Sequence, residues 1–405
     1  METLQSNSVS EKKQPKRLNR VLLGVVWGLS ILLTAVVTVA VLLFSGKEET
    51  TILREAMEII RSNFYFYEKE SDTLVDGAIA GMTKSLNDTY SQYYSAEEYA
   101  ELTKSNSGYY TGIGIVLQQR DVGQFEIIQV YPGTPAEEAG LLSGDRVTEL
   151  NGVKADGLDL GTFLNAMHAE DGGRNEMLVL RDGTELSFTV TAREIYAPTV
   201  TYRMQTDSIG YLHLNGFHGD CVTEVKEAIE ALREQGMQSL IFDVRDNPGG
   251  SLYDVCDIAD LFLPKGLVIT SLRSRTDRQK DYKTEQEGYV FPMVLLVNEN
   301  SASASELLSG ALRDHNRAHL IGTRTFGKGI VQSYFPVAGT GGYIKITTEA
   351  YYTPSGVCIQ GEGIEPDETV ENPENARMYA AANIPLELDL QLQKAIAYLS
   401  ENAPA

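Results

Sequence analysis

Cysteine, tryptophan and histidine are scarce in this sequence of 405 residues, with 3 Cys, 1 Trp and 5 His. The number of cysteines is odd, and the spacing of Cys221, Cys256 and Cys358 is not that of a metal site. Free thiols are therefore expected, with one disulfide as the alternative. His315 and His319 lie four residues apart in a predicted helix, without a third ligand or an H-E-x-x-H pattern. No histidine lies beside a G-D-S-G-G or G-x-S-x-G string, so a His-dependent serine protease is not predicted. Neither a metal nor a cofactor is expected.

Positive charge is also in short supply, since 34 Lys and Arg face 56 Asp and Glu, for a formal net charge of −22. The balance is uneven, because residues 1–20 carry a net charge of +3 and the remainder carries −25. An acidic surface repels phosphate backbones, so nucleic acid is not an expected partner.

Charge is absent altogether from residues 21–44, an apolar run of 24 residues. A helix of that length spans about 36 Å, enough to cross a hydrocarbon core of roughly 30 Å with some tilt. Basic residues precede the run, so the positive-inside rule places residues 1–20 in the cytoplasm. A cleaved signal peptide is the alternative, but the run is long for one and no A-x-A site follows it. We therefore predict a single-pass cell-membrane protein whose residues after Gly46 lie outside the cytoplasm.

Hydrophobic periodicity divides the rest of the chain. Leu74, Ala78, Met82 and Leu86 recur every four residues, which is typical of a helix. The predicted segments are a basic tail (1–20), a transmembrane anchor (21–44), a helical segment (45–105), a β-rich module (106–193), an α/β core (194–375) and a helical tail (376–405).

Apolar runs typical of buried parallel strands alternate with helical patterns in the core segment. Such strands are predicted at Ile209–Leu214, Leu240–Val244 and Val294–Val297. Near its end, Ile330–Val337 and Tyr343–Tyr352 flank a G-T-G-G turn and predict a hairpin. The alternation indicates an α/β layer.

A serine follows the third of these strands. Ser303 and Glu306 form the S-x-x-E pattern of a capping box at the start of an amphipathic helix. A helix N-terminus also stabilises a developing oxyanion, so the same position suits a nucleophile. Cap and nucleophile both remain open from this pattern.

A lysine between two glycines lies farther along the chain. Lys328 has apolar neighbours, and a lysine that acts as a base must be neutral, which burial favours. Gln332 is four residues away and is expected on the same face, where its amide can hold the amine. A solvated turn lysine is the alternative. A phosphate-binding loop starting at Gly322 is rejected, because Gly329 stands where Ser or Thr is required.

A glycine-containing turn, Asp246–Gly250, follows the second buried strand. Glycines let the backbone approach a ligand closely and direct N–H groups at it, as an oxyanion hole requires. A plain turn between a strand and a helix is the alternative.

The β-rich module contains the string G-D-x-V-x-x-L-N-G at Gly144–Gly152 and a hairpin turn at Asp182–Gly183. In this respect it resembles a PDZ domain. PDZ domains take the C-terminus of a peptide as an added strand and hold its carboxylate with backbone N–H groups. By resemblance, that loop consists of Tyr110, Thr111, Gly112, Ile113 and Gly114. An ordinary glycine-rich turn is the alternative.

The globular chain as a whole resembles the C-terminal processing peptidases, or tail-specific proteases. The matching strings, in order, are SLNDTYSQYYS, the PDZ string, DVRDNPGG, VNENSASASE, GTRTFGKGIVQ and YTPSG…GIEPD. The resemblance implies a crotonase/Clp-like α/β core with an inserted PDZ domain. It implies a Ser303 nucleophile, a Lys328 base and a supporting Gln332. It also implies oxyanion donors at the backbone N–H groups of Gly249 and Ala304.

The sequence departs from the family pattern in two places. Relatives carry R-G-x-x-G after the PDZ helix, where this chain has His168 and Ala169. In relatives an arginine of the PDZ domain steadies the active site, and Arg174 or Arg181 is the candidate for that role here. Val357 stands where relatives have Arg after T-P-S-G.

From the resemblance we expect a membrane-anchored serine endopeptidase that cleaves exported proteins near their C-termini. The PDZ domain is expected to capture the substrate tail, and the terminal helices suggest a possible homodimer. A catalytically silent PDZ adaptor that only binds tails is the alternative.

Overall fold

The computed structural model describes residues 20–44, 48–69 and 73–402. By contacts between residues the chain forms two units, 1–77 and 78–405, and each is described by itself.

The described part of the first unit is helical. It contains α1 (Arg20–Phe44), α2 (Glu48–Asn63) and the start of α3 (Leu74–Lys84). No helix within the described ranges is both long and apolar enough to cross a membrane. The transmembrane helix predicted at residues 21–44 is therefore not supported.

The second unit begins with the rest of α3, followed by β1 (Gln92–Tyr94) and α4 (Ala96–Asn106). Ser95 and Glu98 form a capping box at the start of α4, with hydrogen bonds of 3.2 and 2.8 Å. The strand β1 corrects the prediction that residues 45–105 are all helical. It is only three residues long, and it belongs to a sheet whose other strands come from the core.

The β-rich module is built on an antiparallel sheet. Its elements are β2 (Tyr109–Gly112), β3 (Ile115–Asp121), β4 (Gln124–Val130), α5 (Pro135–Ala139), β5 (Arg146–Leu150), β6 (Val153–Lys154), α6 (Leu160–Leu164), β7 (Arg174–Arg181), β8 (Thr184–Thr191) and β9 (Arg193–Tyr196). The sheet order is β3–β4–β5–β7–β8, β6 pairs with β5, and β2 pairs with β9. Asp182 and Gly183 form the predicted turn with φ of 50° and 79°, as a type I′ turn requires.

The core segment contains the remaining elements: β10 (Val200–Met204), β11 (Ile209–Leu214), α7 (Cys221–Glu234), β12 (Ser239–Asp243), α8 (Leu252–Asp260), β13 (Val268–Ser274), β14 (Gln279–Lys283), β15 (Met293–Val297), α9 (Ala304–Asp314), β16 (His319–Gly322), β17 (Ile330–Pro336), β18 (Tyr343–Tyr352), β19 (Glu368–Thr369), 3-10 helices at Glu374–Met378 and Ala381–Asn383, and α10 (Leu390–Glu401). One sheet has the order β10–β11–β12–β15–β16–β19. Its pairs are parallel except β10 with β11. The α/β prediction is confirmed.

Helices cover both faces of this sheet, because successive side chains of a strand point to opposite faces. Phe242 packs with residues of α7, α8 and α9 in one core cluster. Its neighbour Ile241 packs with Leu392 of α10 in another. Buried on both sides, the parallel strands present their carboxyl ends as one edge, where the loops to the helices begin.

A second, antiparallel sheet lies beside the parallel one. Its order is β1–β18–β13–β14, and β17 also pairs with β18. The predicted hairpin is thus confirmed as β17–β18, while the pairing of β1 and β13 with β18 was not predicted. This sheet carries the residues that follow Lys328.

The three cysteines are free thiols in the structure. Burial raises the pKa of both Cys221 and Cys256 to about 12, with nearby carboxylates adding to the effect. These two thiols are therefore protonated at neutral pH, which makes them poor nucleophiles.

Candidate active site

The two predicted turns lie side by side at the carboxyl edge of the parallel sheet. They follow β12 and β15, which are adjacent strands. The Ala302 N–H donates to the Asn247 carbonyl at 3.0 Å, and the Ser305 hydroxyl donates to the same oxygen at 2.8 Å. The start of α9 is thereby fastened to the Asp246–Gly250 turn.

Ser303 occupies a strained position at the N-cap of α9. Its backbone has φ 57° and ψ −111°, a conformation that residues other than glycine seldom adopt. Such strain costs of order 1–3 kcal/mol and persists only where the surroundings impose it. The Ser303 hydroxyl makes no side-chain cap hydrogen bond, although its N–H and Glu306 form the capping-box contact. Only the Glu306 half of the predicted capping box is therefore seen as a hydrogen bond, and the hydroxyl remains available for chemistry.

Glu306 joins the serine segment to the lysine segment. Its side chain is fully buried and accepts the N–H groups of Ser303, Gly327 and Lys328 at 2.8, 2.7 and 2.8 Å. It also accepts the Thr325 hydroxyl at 2.6 Å. One carboxylate thus fixes the backbone on both sides of the predicted dyad.

Tyr351 makes a second connection between the same two segments. Its hydroxyl donates to the Ser303 carbonyl at 2.8 Å and also lies within hydrogen-bond reach of the Lys328 carbonyl. Burial raises the pKa of Tyr351 well above its ordinary value, with Glu306 adding to the effect. The phenol therefore stays protonated and can act as a donor at any relevant pH.

Lys328 is half-buried, and its pKa lies below that of an ordinary lysine. Burial is the main cause, and the charge of Lys345 lowers the pKa further. The charges of Glu306 and Asp88 act in the opposite direction. The net effect favours the neutral amine that a general base requires.

Gln332 contacts a neighbour of the lysine rather than the lysine itself. Its amide donates to the Thr347 hydroxyl at 3.2 Å, and that hydroxyl donates to Asp88 at 2.7 Å. The register of β17 against β18 shifts between Val331 and Gln332. This irregularity interrupts the alternation from which Gln332 was expected on the same face as Lys328. Its role in holding the amine stays a prediction.

The predicted oxyanion donors are adjacent, but they differ in what they bind. Gly249 has φ 101°, and a Cβ there would lie 2.7 Å from the Ala302 carbonyl and 2.9 Å from the Ala304 nitrogen. The Gly249 N–H donates to Asn247 Oδ1 at 2.9 Å. The Ala304 N–H, at the first position of α9, has no acceptor among the described residues. One donor is free in this structure and the other is occupied.

A buried ion network joins the end of β12 to α10, the helix on the face of the sheet opposite to α7, α8 and α9. Arg245 is 1% exposed and binds Asp243 at 2.6 Å, Asp389 at 2.7 Å and Gln391 at 2.9 Å. Burial alone would raise the pKa of Asp243, but Arg245 brings it below its usual value. The start of α10 is thereby tied to the strand that leads into the Asp246–Gly250 turn.

None of the histidine hydrogen bonds in the described residues goes to Ser303 or Lys328. Three histidines bond to backbone carbonyls, His168 to Arg174, His213 to Arg245 and His315 to Val268. His319 stacks on Tyr398, and His218 has a buried Nδ1 without a partner. Within the described ranges, no group of His, Cys, Asp and Glu could hold a metal ion.

Comparison with known proteins identifies the family. Sequence profiles match peptidase family S41 over residues 208–370, a PDZ domain over 126–181 and the activating protease CtpB N-terminal domain over 38–98. A probable CtpA-like serine protease of Staphylococcus aureus (strain COL) is 32% identical over 357 residues, covering 85% of this chain and 71% of that protein. The chain belongs to peptidase family S41.

A second relative agrees with this assignment to family S41, and a solved structure shares the fold. A probable CtpA-like serine protease of Staphylococcus epidermidis is 32% identical over 356 residues, covering 85% of this chain and 72% of that protein. A putative S41 protease from Bacteroides fragilis NCTC 9343 has a similar fold, with a TM-score of 0.56 and 17% identity over 84% of this chain and 92% of that chain. The resemblance predicted from the sequence is confirmed, including the PDZ domain.

The segment predicted to bind substrate tails, Tyr110–Gly114, is only partly a loop in this S41 protease, because Tyr110, Thr111 and Gly112 belong to β2 and pair with β9. Ile113 and Gly114 join β2 to β3. Ile113 is 2% exposed and belongs to the domain core. Gly114 has φ 88°, and a Cβ there would lie 2.3 Å from the Cβ of Thr134. The strand β3 is an edge of the sheet, and the Gln119 side chain accepts the Leu160 N–H at the start of α6. The segment therefore leads into a terminal strand of the sheet, beside a short helix.

The same strand of the PDZ domain contacts the C-terminal part of the S41 core. The Gln118 amide bonds to the Met378 carbonyl, and the Arg120 guanidinium lies 4.7 Å from the Tyr379 ring centroid. Arg174 and Arg181, the suggested substitutes for a site arginine, are engaged inside the PDZ domain. They bind Glu176 at 3.5 Å and Asp145 at 2.6 Å, respectively.

Sequence reasoning missed the residues that assemble this S41 site. Glu306 was recognised only as half of a cap, and Tyr351 only as a residue of a hairpin strand. Asp88 and Tyr90 lie in the matched string SLNDTYSQYYS, but nothing in the string placed them beside Lys328. The available signal was the occurrence of polar and aromatic residues inside family motifs.

Proposed function

We propose that this S41 serine protease is an endopeptidase with a Ser303–Lys328 dyad that cleaves protein substrates near their C-termini. The observation that carries the proposal is the double link between the two segments. Glu306 binds the backbone of both residues, and the Tyr351 hydroxyl lies at both carbonyls. A cap serine and a turn lysine with unrelated roles would not need these links.

In the first step, Ser303 Oγ attacks the carbonyl carbon of the scissile peptide while Lys328 Nζ takes the hydroxyl proton. The π electrons of the carbonyl move to its oxygen, and the N–H groups of Ala304 and Gly249 are the proposed donors to that oxyanion. When the intermediate collapses, the C–N bond breaks and the departing amine takes the proton from Lys328. Water then attacks the acyl ester while Lys328 takes its proton. The bond from carbon to Ser303 Oγ breaks, Lys328 returns the proton to Oγ, and the new carboxylic acid leaves as a carboxylate after losing its proton to solvent.

The environment of Lys328 supports its role as the base. Burial and the Lys345 charge lower its pKa, so a larger fraction of the amine is neutral than for a solvated lysine. A neutral amine can accept the serine proton, whereas an ammonium cannot. The predicted supporting role of Gln332 remains part of the proposal, with Thr347 as its present partner.

Capture of the substrate tail is proposed for the PDZ domain. An extended peptide can add to the free edge of the sheet at β3, with its carboxylate at backbone N–H groups of the Thr111–Gly114 segment. A peptide substrate with a free C-terminal carboxylate should therefore have a lower KM than the same peptide with a C-terminal amide. Equal kinetics for the two peptides would contradict tail capture.

Location outside the cytoplasm and attachment through residues 21–44 remain sequence-based predictions. They rest on the basic residues that precede an uncharged apolar run. Separation of cell membranes from soluble protein, with and without alkaline extraction, tests the attachment. Digestion of the catalytic part by a protease added outside intact cells tests the location.

The dyad is tested by cleavage of an unstructured, tailed protein substrate by the wild type, Ser303→Ala and Lys328→Ala. Both variants should lose at least about 100-fold in kcat/KM, because removal of a nucleophile or a general base costs that much or more.

Two matched variants control for the alternative roles. Ser95→Ala removes another capping-box serine, and Lys265→Ala removes an exposed lysine in a turn. Both should cleave like the wild type. Equal residual cleavage by wild type, Ser303→Ala and Lys328→Ala would contradict the dyad, and tail binding without cleavage would indicate the silent adaptor.

A further inference from the structure

A short turn ahead of β1 is held rigidly beside the lysine. Asp88 accepts the Tyr90 N–H at 3.0 Å and the hydroxyls of Ser91 and Thr347 at 2.6 and 2.7 Å. The Ser91 hydroxyl in turn accepts the Thr347 N–H at 3.2 Å. The turn is therefore fixed to β18, the same strand whose Thr347 binds Gln332.

The turn places an aromatic ring over the amine of Lys328. The Nζ atom of Lys328 lies 4.5 Å from the centroid of the Tyr90 ring. A cation within about 6 Å of a ring face is attracted by the ring quadrupole, whereas a neutral amine gains little. The contact therefore stabilises the ammonium form selectively.

Charged groups from three elements face Lys328. Lys345 on β18 disfavours the ammonium, as does burial, while Glu306 on α9 and Asp88 on the turn favour it. Partial burial alone would raise the pKa of Asp88, but its hydrogen bonds and the Lys328 charge bring it below the usual value. Asp88 is therefore ionised at neutral pH, and its attraction to Lys328 grows as the amine gains its proton.

A general base spends part of each catalytic cycle protonated. An interaction with the ammonium alone stabilises the transition state more than the ground state, in which the amine is neutral. Burial and the Lys345 charge favour the neutral form of the resting base, and the Tyr90 ring and the Asp88 carboxylate stabilise the positive charge that develops on it. Burial and Lys345 thus favour the form of Lys328 that accepts a proton, and Tyr90 and Asp88 favour the form that results.

We propose that Asp88 and Tyr90 are positioning residues for Lys328, holding its amine and stabilising the ammonium that forms when it takes the Ser303 proton. This inference rests on the proposed dyad. The role is distinct from that of Gln332, which contacts neither the Lys328 amine nor the Tyr90 ring among the described contacts.

The test is the pH profile of kcat/KM for a tailed peptide, measured for the wild type, Tyr90→Phe, Tyr90→Leu and Asp88→Asn. Activity rises with pH as the base loses its proton. Loss of an interaction with the ammonium lowers the pKa of the base, so the acid limb should move to lower pH. For Tyr90→Leu we expect a shift of roughly 0.4–1.5 pH units and a plateau roughly 2- to 30-fold lower.

Tyr90→Phe keeps the ring and should keep the position of the limb, while Asp88→Asn should shift it in the same direction as Tyr90→Leu. Tyr202→Leu, at an exposed tyrosine on β10, should match the wild type. Thermal unfolding verifies that each variant is folded, and Asp88→Asn decides the matter when Tyr90→Leu does not fold.

Two outcomes separate this inference from the proposed function. When Lys328→Ala is inactive but Tyr90→Leu and Asp88→Asn keep the wild-type limb, even at a reduced rate, the positioning role is wrong and the dyad stands. When Lys328→Ala cleaves like the wild type, the dyad itself is wrong.

Discussion

The proposed site has a proton-transfer half and an oxyanion half, and the fold assembles the first more completely than the second. On the proton-transfer half, Glu306 and Tyr351 tie the backbone of Ser303 to that of Lys328. On the oxyanion half, only the Ala304 N–H is free, because the Gly249 N–H donates to Asn247.

This difference between the halves indicates that the oxyanion half is completed only when the substrate develops its negative charge. An oxyanion is a charged acceptor, and hydrogen bonds to charged groups are roughly twice as strong as neutral ones. A developing oxyanion can therefore compete with the Asn247 amide oxygen for the Gly249 N–H, whereas a ground-state carbonyl competes poorly. Serine and lysine need no such exchange of partners.

The largest expected effect comes from Glu306→Gln, which disrupts the assembled half. A glutamine offers one acceptor oxygen, and its amide N–H groups face the N–H donors of Ser303, Gly327 and Lys328. Because buried donors are left unpaired, we expect the free energy of unfolding to fall by about 2 kcal/mol or more. Since the dyad backbone loosens, kcat/KM should fall by roughly 100-fold.

Chemical denaturation and peptide cleavage measure these two quantities. Glu299→Gln is the matched control, since Glu299 is exposed and accepts only the Thr323 hydroxyl in the described contacts. Wild-type kcat/KM in a folded Glu306→Gln would show that the carboxylate does not hold the dyad together.

The next effect in size is expected from Gly249→Ala, on the oxyanion half. The new Cβ would meet backbone atoms of Ala302 and Ala304 at 2.7 and 2.9 Å, in addition to the strain of φ 101°. We expect roughly a 10-fold or larger loss of kcat, because the donor must move away from the oxyanion.

Gly266→Ala separates strain from the clash, since Gly266 has φ 88° with nothing within 4 Å of the added Cβ. That variant should lose about 1 kcal/mol of stability and keep its kcat. Equal kcat for Gly249→Ala and the wild type would show that the Gly249 N–H is not an oxyanion donor.

The smallest effect is expected from Lys345→Met, which alters the electrostatics of the proton-transfer half alone. The Lys345 charge lowers the pKa of Lys328, so its removal should raise that pKa. The base is then neutral only at higher pH, and the acid limb of kcat/KM moves upward. The exposed Lys226→Met should leave the limb in place, and a downward shift for Lys345→Met would contradict the charge arrangement.

Much of the fold could be predicted from the sequence, because its patterns are local. The strand at Leu240–Val244 is one apolar run, and the Asp182–Gly183 turn is a two-residue signal. In contrast, β1 has only three residues and lies between helices, so periodicity could not reveal it. Its pairing with β18 depends on contacts more than 200 residues apart in the chain.

The site shows the same division between local and distant information. Ser303, Lys328 and Asp246–Gly250 could be found because each lies in a compact motif. The contact of Glu306 with Lys328 and the approach of Tyr90 to the amine join separate motifs, so no pattern within one motif predicts them. For Gln332, a shift of strand register lies between Lys328 and its own position, and its role in holding the amine stays a prediction.

The most direct test of the central claim is the rate at which a fluorophosphonate labels Ser303 as a function of pH. We predict a rate that rises through a single ionisation below the roughly 10.4 of an ordinary lysine. In Lys328→Ala, the labelling rate should fall by about 10²–10⁴-fold and lose this rise. Equal labelling of the wild type and Lys328→Ala across the pH range would contradict the claim that Lys328 activates Ser303.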